Sequence, residues 1–123
     1  MKLIIRSAKI IDPKSKYNQK KMDILVDNGN ITSIQKDIKA PSGTKEIKGE
    51  NLHLSPGLFD LHVNFRDPGF EMKEDLNSGM QAATKGGFTG VLLMPTNTPS
   101  TDNKVQVEYL INSTKGKMVE VIP

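Results

Sequence analysis

From residue 56 onward the chain alternates strand-like and helix-like segments joined by short loops, and this order restricts it to a parallel α/β architecture. The run 58–65 is apolar and strand-like. Across 73–85, Met72, Leu76, Met80 and Ala83 recur at helical spacing, with acidic residues placed in the first turn and Gly86-Gly87 as the stop. The run 88–94 is almost continuously apolar, as a strand reads when both faces of a parallel sheet are covered. Residues 95–99 form a loop, Thr101 or Asp102 is placed to cap a helix running to about Thr114, and 118–122 begins a third strand. This β-α-β-α-β order is the opening of a parallel α/β barrel. Such a barrel needs eight strands and typically about 250 residues. A chain of 123 residues is therefore expected to be a portion of a longer protein, the other option being that a second chain supplies the rest.

Residues 1–55 read differently, as a β-module. Apolar runs at 3–5 and 10–11 flank a polar patch, and Asp12-Pro13 closes the segment. The run 22–27 is followed by Asn28-Gly29, a strong hairpin signal, and then by a second run at 30–34. Short edge strands are expected at 44–48 and 52–54. The domain reading is thus a β-sandwich segment over 1–55 and the first β/α units of an incomplete barrel over 56–123.

Composition removes several classes of function. The chain has no cysteine, hence neither a disulfide framework nor a thiolate metal site. Its net charge of +3 comes mostly from dispersed lysines. The densest group, Lys14, Lys16, Lys20 and Lys21, has the character of a solvated loop. No arginine stripe with interleaved aromatics supports nucleic-acid binding. No run approaches the roughly 18 apolar residues of a membrane span, and residues 1–6 lack the features of a signal peptide. Cytoplasmic localisation is the resulting expectation. Gly86, Gly87 and Gly90 do not make a dinucleotide-binding loop.

The chemistry concentrates at the end of the first barrel strand. Alternation with period two puts Asp60, His62, Asn64 and Arg66 on one face and Leu61, Val63 and Phe65 on the other. Four polar groups on one face of a short hydrophobic strand are costly unless something uses them. The segment His62-Val63-Asn64-Phe65-Arg66-Asp67-Pro68-Gly69 resembles the His-x-His and x-Arg-x-Pro-Gly motifs of the amidohydrolase superfamily, most closely the long, class I dihydroorotases. Met94-Pro95-Thr96-Asn97-Thr98-Pro99 resembles that family's Met-Pro-Asn-Thr-x-Pro.

The resemblance implies a (β/α)8 barrel preceded by part of a β-sandwich module, and a catalytic zinc held partly by the two motif histidines. It makes His62 a metal ligand and puts Asn64 at the second ligand position, where a neutral amide oxygen is a harder and weaker zinc ligand than imidazole. It also implies that Arg66 grips the substrate carboxylate with its planar fork. Thr96 occupies the position of the family's substrate-contacting asparagine, with Asn97 one position further on. Asp60 is read as an orienting acceptor and His53 as a satisfied or solvated histidine. No acid/base residue falls within this chain, so 123 residues on their own are expected to lack hydrolase activity.

The implied reaction interconverts N-carbamoyl-L-aspartate and L-dihydroorotate in pyrimidine synthesis. A second reading is a non-catalytic dihydroorotase-like subunit that supports aspartate carbamoyltransferase by assembly. Asn64 and Thr96 favour the second reading and the intact Arg66 turn favours the first. A third is another cyclic amidohydrolase, such as a dihydropyrimidinase or allantoinase relative. A small-molecule substrate and homo-oligomeric assembly are expected on the family pattern.

Overall fold

The two runs flanking a polar patch near the N-terminus are one strand, β1 (Lys2–Ile10). Its antiparallel pairing with β2 (Lys21–Asp27) slips between Ile5 and Ala8. The patch, Arg6-Ser7, is the slip itself: Ser7 takes φ 50° and its N–H leaves the ladder to donate to the Asp23 carboxylate at 2.9 Å. The computed structural model describes residues 1–123, in two compact units, Met1–Pro56 and Gly57–Pro123.

In the first unit Asn28 and Gly29, at φ 49° and 81°, make the turn between β2 and β3 (Asn30–Gln35). Two short strands, β4 (Lys45–Ile47) and β5 (His53–Leu54), pair parallel to β1. The result is one five-stranded sheet, with β1 in contact with β2, β4 and β5.

A charged knot fastens this sheet. The Arg6 guanidinium donates to Asp23 at 2.7 Å, to the Ile38 carbonyl at 2.6 Å and to Glu46 at 2.5 Å, so it joins β1, β2, β4 and the turn after β3. Burial works to raise the Asp23 pKa, but the Ser7 N–H, the Arg6 guanidinium and the Ile38 N–H together hold it below the usual carboxylate range. Glu46 is lowered to about 2 by Arg6 and then by Lys48. Both carboxylates have depressed folded pKa values. They contribute stability above the unfolded value and lose it as pH falls through the folded one. The unfolding midpoint in urea is therefore expected to drop between pH 4.5 and about 2. Glu46→Gln should flatten that acid limb, and an unchanged limb in the variant would remove Glu46 from the account.

The second unit is built from β6 (Leu58–Val63), α1 (Leu76–Lys85), β7 (Phe88–Leu93), α2 (Lys104–Thr114) and β8 (Glu120–Ile122). The strands form a parallel sheet in the order β6-β7-β8. Its core contains Phe65, Leu76, Met80, Val91, Leu110 and Val119. Leu110, Val91 and Val119 are almost wholly removed from water.

Element ends differ from expectation for local reasons. Helix α1 starts at Leu76, not at 73, because Asp75 and Ser78 form a reciprocal capping box. Met72 consequently lies outside the helix and is 83% exposed. The acidic residues expected in the first turn precede it. Asn103, not Thr101 or Asp102, caps α2 by accepting from the Gln106 N–H at 3.1 Å. Strand β8 begins at Glu120, not at 118.

Gly79 on α1 lets the helix approach Phe65. A Cβ there would stand 2.4 Å from the phenyl ring. Gly79→Ala is expected to cost about 1–3 kcal/mol through overpacking, less a few tenths to 1 kcal/mol regained in helix propensity. A fall in the thermal midpoint is the check, and an unchanged or raised midpoint would show that the ring yields freely. No helix is long and apolar enough to cross a membrane.

Candidate functional site

The site is assembled where β6 and β7 end, and the strict alternation expected for 58–65 does not survive there. Strand β6 stops at Val63, and its register against β7 shifts between Asp60 and Val63. The His62 N–H donates to the Asp60 carboxylate at 2.9 Å instead of to a neighbouring strand. Leu61 is 70% exposed whereas Phe65 is only 5% exposed, so these two do not share an environment as a regular strand would require. Asp60 thus accepts from backbone within its own strand.

Beyond β6 the two loops are clipped together stepwise. The Met94 N–H donates to the Val63 carbonyl at 2.9 Å, continuing the ladder past the last strand residue. One step on, the Thr96 hydroxyl donates to Asn64 Oδ1 at 2.5 Å. Further out, the Thr98 N–H donates to the Pro68 carbonyl at 3.1 Å. Gly69, at φ 109°, leaves room for this approach, since a Cβ there would stand 2.2 Å from the Thr98 carbonyl oxygen.

Arg66 lies inside this clipped loop. Its backbone is left-handed, at φ 54°, an uncommon state for a residue with a Cβ. The two nearby carboxylates that would form a surface salt bridge with it are committed elsewhere. Asp67 accepts from the Tyr109 hydroxyl at 2.8 Å and from the Leu76 N–H at 3.2 Å. Glu71 accepts from the Gly69 N–H at 2.9 Å, and this bond holds its pKa below the usual range. None of the ion pairs in the structure includes Arg66. A partly exposed guanidinium without a protein anion is suited to receive an anion from solution.

The remaining candidates fall in different environments. His62 is exposed. Asn97 is buried: its Nδ2 donates to the Asp67 carbonyl at 3.0 Å, while its Oδ1 is buried without a donor. Tyr109 is a residue that the motifs did not single out, because it lies far along the chain on α2 with nothing in its neighbourhood to mark it.

The residues present do not fit a metal centre by themselves. The end of β6 offers one imidazole, His62, and the Asn64 amide oxygen already accepts the Thr96 hydroxyl. No group of three or more His, Cys, Asp or Glu side chains converges anywhere in the chain. A zinc site takes three protein ligands or more.

Residues 52–123 match the family model described as Dihydro-orotase-like. Over its whole length the chain is 45% identical to the dihydroorotase of Geobacter metallireducens and 41% identical to that of Geobacter sulfurreducens. It spans 29% of the length of each of these relatives. Among solved structures, 97% of the chain superimposes on 26% of a D-hydantoinase (dihydropyrimidinase) from Thermus sp., with 28% identity and a TM-score of 0.69. It also superimposes on an L-hydantoinase from Arthrobacter aurescens at a TM-score of 0.75 and 20% identity, which establishes likeness of fold. The second unit is accordingly the start of a (β/α)8 barrel of amidohydrolase type. With its matching model, whole-length sequence similarity and fold, this chain belongs to the dihydroorotase-like family.

Proposed function

We propose that the protein containing this chain is a dihydroorotase, interconverting N-carbamoyl-L-aspartate and L-dihydroorotate in pyrimidine synthesis, and that this chain supplies the grip on the substrate carboxylate. The observation that carries the reading is Arg66: a guanidinium on a pinned loop, with both neighbouring carboxylates engaged by other donors. Both interconverting molecules carry a carboxylate that a planar fork can hold through two charge-assisted hydrogen bonds. Thr96 and Asn97 belong to the same substrate-side group, Thr96 through its hydroxyl and Asn97 by supporting the Asp67 carbonyl. Zinc is the metal expected of the family, with His62 as the contribution of this chain. The catalytic acid/base group, a cytoplasmic location and assembly into homo-oligomers belong to the whole protein on this reading.

A second reading has its own support. The Asn64 carbonyl oxygen, the one atom of that side chain able to coordinate a metal, already accepts the Thr96 hydroxyl and is a weaker zinc ligand than imidazole. This favours a non-catalytic dihydroorotase-like subunit, retained to assemble with aspartate carbamoyltransferase. Ring opening of dihydroorotate by the full-length protein, with zinc added and with zinc removed, separates the two. Zinc-dependent turnover supports the enzyme. A folded protein without turnover sinks it and leaves the assembly reading.

A further inference from the structure

The buried Asp67 carboxylate receives donors from two different helices. The Tyr109 hydroxyl of α2 reaches Oδ1 at 2.8 Å, and the N–H of Leu76, the first residue of α1, reaches Oδ2 at 3.2 Å. The Asp67 carbonyl takes a third donor, Asn97 Nδ2, from the loop after β7. All this converges on the residue next to Arg66. The Arg66 carbonyl is itself held by the Phe70 N–H at 2.8 Å. A left-handed backbone at an arginine persists only where its surroundings over-determine it, and these bonds are the surroundings.

Packing does not explain Tyr109. Tyr109 is 42% exposed and is not among the residues of the buried core. Its hydroxyl reaches a buried carboxylate across the two loops. Asp67 raises the Tyr109 pKa above its ordinary range, and the hydroxyl remains a donor through neutral pH.

We propose that Tyr109, acting through Asp67, is a positioning residue that locks the Arg66 backbone in its left-handed conformation and thereby fixes the direction from which the guanidinium meets the substrate carboxylate. The inference rests on the proposed role of Arg66, and it adds a residue of helix α2 to a site otherwise made of the end of β6 and two loops. The device is a lever: a hydroxyl on one helix holds a carboxylate, and the carboxylate holds the peptide that carries the arginine.

Tyr109→Phe in the full-length protein removes the hydroxyl and leaves the ring. The expected result is a KM for dihydroorotate raised about tenfold, or about 1.4 kcal/mol, with kcat changed less than about twofold. Amide hydrogen exchange should accelerate at Phe70 and Leu76, while the amides of β6, β7 and β8 keep their protection. Asp67→Asn, a similar shape with a weaker acceptor, should move both readouts in the same direction.

Unchanged KM with unchanged exchange at Phe70 and Leu76 would overturn the proposal. So would an even rise in exchange across the second unit, which would assign Tyr109 to general stability. If the wild-type protein neither turns over nor binds dihydroorotate by calorimetry, the proposed function fails on that result. The lock on Arg66 is then decided by local exchange alone.

Discussion

Arg66→Ala in the full-length protein is expected to lower kcat/KM for dihydroorotate about a hundredfold, equivalent to about 2.7 kcal/mol of lost binding to the carboxylate. Arg66→Lys should recover only part of this, because an ammonium keeps the charge and loses the fork. The unfolding midpoint should barely move in either variant. Asp67 and Glu71 keep their own donors when the guanidinium is removed, so no carboxylate is left unpaired. Steady-state kinetics beside a urea titration tests both statements. Comparable losses of activity and stability would show that Arg66 is a structural residue and that the carboxylate is held elsewhere.

Asn64→His carries the second large effect. The substitution places an imidazole two residues from His62 and removes the acceptor that Thr96 now uses. Zinc content of the full-length protein, measured after dialysis against buffered metal, is expected to be higher in Asn64→His than in the wild type. Thr96→Val in the Asn64 background, which removes the hydroxyl donor while keeping a β-branched side chain, should give a much smaller rise, since it frees only an amide oxygen. Unchanged metal content in Asn64→His would mean that Asn64 does not stand at a lost ligand position. A wild-type protein already saturated with zinc would mean that the ion is held without a second imidazole at position 64.

The parts of this molecule legible in the sequence are those governed by neighbours close along the chain. Asn28-Gly29 specifies its turn because the two residues must take positive φ, and nothing distant is consulted. The near-continuous apolar run of β7 announces a strand of a parallel sheet for the same reason. The order of strands and helices from residue 57 follows from such signals. Helix α1 was displaced by a turn because its apolar spacing extends through Met72, whereas the capping box of Asp75 and Ser78 decides the start.

The alternation read over 58–65 failed where a side chain competed with the ladder. Asp60 draws the His62 N–H to itself, the register shifts, and the inward and outward assignments change after it. The motif residues could be found by their spacing, but their partners could not. That Thr96 touches Asn64, that Asn97 is spent on the Asp67 carbonyl and that Tyr109 reaches Asp67 all depend on contacts at separations of 30 residues or more. The first of these is informative in itself: the two positions that depart from the family pattern are bonded to each other.

The three-stranded sheet of the second unit has β6 and β8 at its two margins, with Leu58, Phe59, Leu61 and Ile122 partly open to solvent. Such margins are templates on which a foreign strand can add. Several features limit this while the sheet has no further neighbours. Strand β6 carries Asp60 and His62 among its apolar residues and a register irregularity that spoils a flat edge. The irregular margin of β6 is thereby a poor template for a foreign strand.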